Sequence, residues 1–72
     1  MLPLGIYKHY KGHEYRLIGF AKHSESLEDL AIYEDIDDSS KWWARPLAMF
    51  DEEVEVNGKR LKRFEFLRED CI

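Results

Sequence analysis

Three groups of side chains in this chain have the types and spacing to do chemistry. His23-Ser24-Glu25 sets a base, a hydroxyl and an acid side by side. Nucleophilic catalysis needs such groups to converge in space, and neighbours on one loop seldom do. Ser24 and Glu25 are better suited to satisfying backbone N–H groups in a turn. Trp42-Trp43 with Arg45 is the second group. Adjacent strand residues point to opposite faces, so if one Trp fills the core the other is outside, where packing under the acidic loop or the 3₁₀ turn is the stronger reading and a binding role the alternative. An outward Trp beside an Arg has the composition of a binding hot spot, and it could stack on a base or hold a cation. The third group is the basic C-terminal third, Lys59, Arg60, Lys62, Arg63 and Arg68, interleaved with Phe64 and Phe66. Basic residues with aromatics on a sheet can hold single-stranded nucleic acid. Glu53 and Glu55 lie across the hairpin from Arg60, however, so cross-strand ion pairing is the stronger reading.

Other constellations carry less. Three histidines stand at His9, His13 and His23, but a zinc site needs three or four converging ligands; His9 and His13 are four apart, which suits a helix and not a strand and turn, and no Cys joins them. No metal or cofactor is expected. Tyr7, Tyr10, Tyr15 and Tyr33 with Phe50 could line an aromatic groove. In a domain this small such rings mostly build the core, because they bury the most area per residue.

The elements that must position these groups read as short strands. Gly5 to Tyr10 is rich in β-formers, and Lys11-Gly12 is a turn. Glu14 to His23 is a long strand, apolar on both faces in its middle, where Gly19 suits a bulge or bend. His23 to Ser26 is turn-like. Ser26-Leu27-Glu28-Asp29 has a capping-box pattern, yet the β character that follows favours a loop. Leu30 to Glu34 is the third strand, Asp35 to Ser40 an acidic loop, and Lys41 to Arg45 the fourth strand. Pro46 ends that strand and opens a single 3₁₀ or α turn through Phe50. Val54 to Leu61 is a hairpin on Asn57-Gly58, the preferred type I′ turn, pairing Val56 with Lys59 and Val54 with Leu61. Phe64 and Phe66 have the opposite parity to Leu61. A bulge near Lys62-Arg63, or a change of partner strand there, is therefore required. About five short strands with few helical residues predict an all-β domain, a small SH3-like barrel.

Composition bounds the function. The 72 residues make one domain, spanning 1–72, with a 44% hydrophobic and 14% aromatic content that fits a globular chain. A chain of this size buries roughly 60% of its unfolded surface, which leaves no room for a large enclosed cleft. A substrate pocket would need a dimer interface or a shallow groove. Net charge is −4, which argues against non-specific polyanion binding. The lone Cys71 cannot form an internal disulfide, the N-terminus lacks a signal h-region, and no stretch approaches the ~20 apolar residues of a membrane span. A cytoplasmic protein with no membrane partner, monomeric or homodimeric, is expected.

Several of these residues recur together in a recognisable pattern. Gly5-x-Tyr7-x-His9-Tyr10-Lys11-Gly12, Tyr15, Ala21-x-His23-Ser24-Glu25, Tyr33, Trp43-x-Arg45-Pro46-x-x-Met49-Phe50, Val54, Gly58, Arg63 and Phe64 follow one another in order. Over residues 5–66 the chain resembles the small bacterial family catalogued as domain of unknown function 1653. Ser26 stands where that pattern has Thr, and Ala44 where a larger aliphatic is usual. The resemblance implies a bacterial, cytoplasmic, stand-alone protein and no established activity. It adds weight to Tyr10, His23, Ser24, Glu25, Trp43, Arg45 and Phe50, which belong to the pattern. Glu25 pairing with Arg45 would make one network of them. The function expected is a non-enzymatic binding module for a peptide, protein or small ligand, using Tyr10, His23, Ser24, Glu25, Trp42, Trp43, Arg45 and Phe50. The alternative is nucleic-acid binding through the basic hairpin.

Overall fold

In the computed structural model, which describes residues 2–69, the chain is mostly antiparallel β, and Cys71 lies outside the described residues. The strands are β1 (Gly5–His9), β2 (Glu14–Lys22), β3 (Asp29–Asp35) and β4 (Trp42–Pro46), followed by the one-turn helix α1 (Leu47–Phe50). Then come β5 (Glu53–Val56), β6 (Lys59–Lys62) and β7 (Phe64–Arg68). The main sheet runs β4-β3-β2-β1-β7, and β5 and β6 form a separate two-stranded hairpin.

The expected all-β character is found, but a closed SH3-like barrel is not. Among the described residues β4 and β7 each pair on one side only, so the five-stranded sheet is open. The physical reason lies at Arg63. The parity switch between Leu61 and Phe64 is met by a change of partner: β6 pairs with β5, whereas β7 leaves the hairpin and pairs with β1. The chain is pinned at the switch, where the Arg63 N–H donates to the Glu52 carbonyl and the Tyr10 N–H to the Arg63 carbonyl.

Local sequence explains the remaining elements. Asn57 and Gly58 take positive φ, 52° and 79°, as a type I′ turn requires. Val54 faces Leu61 and Val56 faces Lys59. The β2–β3 register shifts between Leu17 and Gly19, so the bend sits where a residue without a side chain allows it. Pro46 precedes α1 as its cap residue.

Register then decides the two faces. Tyr7 opposes Tyr15, Leu17 opposes Tyr33, Tyr33 opposes Trp43, Ala31 opposes Arg45, and His9 opposes Phe64. Opposed residues share a face, so one surface of the sheet carries all of these. α1 lies beside β3 and β4, and its Phe50 closes the core with Tyr7, Leu17, Ala31, Tyr33 and Phe64. The Phe50 ring stacks on Phe64 with centroids 4.1 Å apart and planes within 8°. On the other face, Arg16 donates to the nearly buried Glu34 at 2.7 Å.

Candidate functional site

The free side of β4 governs the site. An edge strand has no neighbour to cover it, so the expectation that one Trp fills the core fails for both. Trp42 is 62% exposed and Trp43 48%. They point to opposite faces of the sheet. The Trp42 indole N–H donates to the Ser39 carbonyl at 2.9 Å, which lays that ring along the acidic loop.

Arg45 shares a face with Trp43 and is half-buried. Its Nε donates a long 3.4 Å hydrogen bond to the Tyr33 hydroxyl, and its guanidinium carbon lies 5.9 Å from the Phe64 ring centroid. Arg16, Arg60, Arg63 and Arg68 each meet a carboxylate: Glu34, Glu53, Glu52 and Glu14 respectively. Among the described residues Arg45 meets none. The positions around it are aromatic. Tyr15 packs edge-on to Tyr33 at 5.3 Å, Tyr33 to Phe64 at 5.4 Å, and His9 to Phe64 at 5.0 Å.

His9 reports the local charge. Its burial, then the positive charges of Arg63, Arg45 and Lys11, hold its pKa below the ordinary histidine value. Its Nδ1 accepts the Lys11 backbone N–H at 3.2 Å, which places the proton of the neutral ring on Nε2. Burial raises the Tyr15 pKa, helped by Tyr33 and Asp35, while Arg45 opposes the rise. Tyr10 lies at the edge of this region, 4.6 Å from His9 between ring centroids, with Arg63 and Lys11 each 5.9 Å from its ring.

The His23-Ser24-Glu25 group is not part of this surface. Arg45 faces Ala31, Ala31 faces Phe20, and His23 lies three residues beyond Phe20, just past the end of β2. At about 3.3 Å per residue and about 4.8 Å per strand, the separation is on the order of 14 Å. His23 instead builds its own turn. Its Nδ1 accepts the backbone N–H groups of Glu25 and Ser26 at 3.2 and 3.3 Å, and the Ser26 hydroxyl accepts that of Glu28. Glu25 therefore has a turn to stabilise, and Arg45 contacts Tyr33 and Phe64 rather than Glu25. Phe50, 1% exposed, is a core ring and offers a ligand nothing.

The structure adds His9, Tyr15, Tyr33 and Arg63 to the neighbourhood of Arg45. The register of β1 against β7 sets His9 opposite Phe64, while the β1–β2 and β2–β3 registers place Tyr15 and Tyr33 on the same face. Strand pairing also brings His13 to Asp35, with Nε2 and Oδ1 3.1 Å apart. His13, Asp35 and Asp37 place ligand-type atoms within 4.8 Å of one another. Asp35 Oδ1 is already engaged there, because it also accepts the Asp37 N–H at 2.8 Å. That bond first, and His13 second, hold the Asp35 carboxyl below its ordinary pKa. The group closes the 35–40 loop onto the turn at Gly12.

Surface hollows lie elsewhere. One, about 370 Å³, is lined by His9, Tyr10, Arg60, Leu61, Lys62 and Glu65 among others, between the hairpin and β1. None of the hollows described is lined by Trp43 or Arg45. Their surface suits a partner with its own flat or extended surface better than an engulfed substrate.

An open antiparallel sheet with a helical turn against its core face, and an aromatic surface edged by an Arg45 guanidinium that meets no carboxylate among the described residues, defines a small β domain with an exposed edge strand. Over residues 5–66 the chain matches the family described as "Protein of unknown function (DUF1653)", and it belongs to that family. The crystal structure of a protein of this family from Bordetella bronchiseptica is similar to it throughout. That chain is 25% identical, superposes with a TM-score of 0.86, and the match covers 99% of this chain and 94% of that one. No curated protein matches.

Proposed function

We propose that this protein is a non-enzymatic, cytoplasmic binding module that engages its partner through the β4 surface: Trp43 and Arg45, with Tyr15, Tyr33 and His9 behind them. The observation that carries the reading is Arg45. A half-buried guanidinium is costly to hold without a counter-charge, and this one sits beside an exposed Trp in a chain of net charge −4. A ligand or partner group with a carboxylate or other anion supplies what Arg45 lacks, and Trp43 supplies contact area. The non-enzymatic part rests on His23, whose Nδ1 is occupied by two backbone N–H groups. The nucleic-acid alternative has less support. Arg60, Lys62, Arg63 and Arg68 are matched to Glu53, Asp51, Glu52 and Glu14, so few phosphate-binding charges remain.

The test is an amide NMR titration of labelled protein with metabolite, nucleic-acid and protein fractions of a bacterial extract. Shifts at Trp43, Arg45, Tyr33 and His9 that vanish in Arg45→Gln support the reading. Shifts confined to residues 59–68, fading with salt, replace it with the alternative. Shifts that persist unchanged in Arg45→Gln overturn it.

A further inference from the structure

Both Trp42 and Trp43 are exposed, on opposite faces of one edge strand. A partner lying on either face covers one of them. A strand laid along the free edge of β4 covers both. The direction of the backbone groups allows this. The Asp35 N–H donates toward β4, to the Lys41 carbonyl, while the Ile36 N–H donates toward β2, to the Glu14 carbonyl. Alternation along an antiparallel ladder therefore turns Tyr33 and Ala31 toward β4, where they meet Trp43 and Arg45. The backbone N–H and C=O of Trp42 and Ala44 are left pointing out from the sheet. Pro46, with no N–H to give, fits the same outward parity.

The other free edges are less inviting. β7 carries Glu65 and Arg68, and the hairpin carries Glu53, Glu55, Lys59, Arg60 and Lys62. Charges of this kind blunt edge pairing. β4 has Arg45 as its single charge.

We infer that β4 pairs with β4 of a second copy of this chain, antiparallel, across a two-fold axis at Ala44. In that register Trp43 of each copy lies opposite Arg45 of the other, and Trp42 lies opposite Pro46. The Arg45 guanidinium gains an indole face, and its in-plane donors stay open for an anion. Ala44, the small exposed residue at the axis, faces its own copy and exchanges two backbone hydrogen bonds with it. The strand Trp42-Trp43-Ala44-Arg45-Pro46 is thus complementary to itself, as an isologous interface requires. The result is one continuous sheet through two copies. Five residues a side make a contact below the size of permanent interfaces, so the dimer is weak and forms over about 10 µM to about 1 mM.

The experiment is sedimentation velocity across that range for the full chain and for Ala44→Pro and Ala44→Glu. Proline removes an N–H that β3 does not use, so the fold is retained. Glutamate puts like charges opposite each other at the axis and alters only an exposed side chain. The expected result is a concentration-dependent doubling of mass for the native chain and at least about tenfold weaker association for both variants. If the proline variant does not fold, the glutamate variant decides. In a Cys71→Ser background, Ala44→Cys forms a disulfide dimer on mild oxidation, because paired Cα atoms there are about 5.5 Å apart. A native chain that stays monomeric at about 1 mM overturns the inference. So does a dimer that survives both substitutions, and the absence of a crosslink in the Ala44→Cys variant overturns the register. The ligand reading is judged separately, since both the Ala44→Pro and Ala44→Glu variants keep Trp43 and Arg45.

Discussion

Phe50→Leu measures how much of this small domain depends on one ring. Phe50 is 1% exposed, stacks on Phe64 at 4.1 Å, meets Tyr7 edge-on at 5.3 Å and lies 5.4 Å from Tyr33. Truncating a buried Phe to Ala costs about 3–5 kcal/mol. Leucine keeps part of the volume but forfeits the stack and the edge contact, so a cost of about 2–3 kcal/mol is expected. A chain of 72 residues has a total stability of about 4–11 kcal/mol. Each kcal/mol moves the midpoint of a domain this size by roughly 4–8 °C, so Tm should fall by about 10–20 °C. Phe50→Ala should leave the chain near the edge of folding. The assay is thermal and urea unfolding followed by far-UV circular dichroism. Met49→Ala, at the exposed neighbour, serves as the control and should shift Tm little. A Phe50→Leu shift below about 3 °C, no larger than the control, would refute the placement of this ring at the centre of the core.

Three further outcomes follow from particular residues. Gly5 has φ +150°, and a Cβ there would run into the Arg68 carbonyl oxygen and crowd Phe66. Gly5→Ala should therefore cost about 2–4 kcal/mol in urea unfolding, whereas Gly12→Ala, with open space around it, should cost only its backbone strain. Arg45→Met should raise the His9 pKa, read from its imidazole resonances, without restoring the ordinary value, because burial, Arg63 and Lys11 still hold it down. Stability should fall on acidification. His9 has a folded pKa below its unfolded value of 6.5, so the unfolded state binds the proton first and its contribution is lost as pH falls below that point. Asp35 and Asp38 are also held low, by the Asp37 N–H and by the Ser40 hydroxyl, and their contribution goes as pH drops through about 4 and lower. Unfolding midpoints measured from pH 8 to pH 3 should decline without a maximum near the sequence pI of 5.3.

Much of the local structure was legible because its causes are local. Asn57-Gly58 dictates the hairpin and its register, Gly19 the bend in β2, and Pro46 the end of β4 and the start of α1. Even the parity conflict between Leu61 and Phe64 could be read as a demand for a bulge or a new partner. What could not be read is which partner. β7 joins β1 across most of the chain's length, and only that pairing sets His9 against Phe64 and leaves the sheet open. The same distant information separates His23 from Arg45. Both lie in segments that looked polar and reactive, yet two strands of lateral distance divide them.

The tryptophan pair shows why strand order matters more than strand identity for function. Alternation correctly sends Trp42 and Trp43 to opposite faces. The inference that one must be buried assumes a covered strand, and β4 is an edge. Once it is an edge, two exposed indoles, two outward amide groups and a guanidinium that meets no carboxylate among the described residues sit within five residues. Burying indoles is favourable, and a half-buried guanidinium gains from a counter-charge. It is this edge position, which no local pattern announces, that the proposed contacts of β4 rest on, and behind it Tyr15, Tyr33, Phe64 and His9 pack ring against ring.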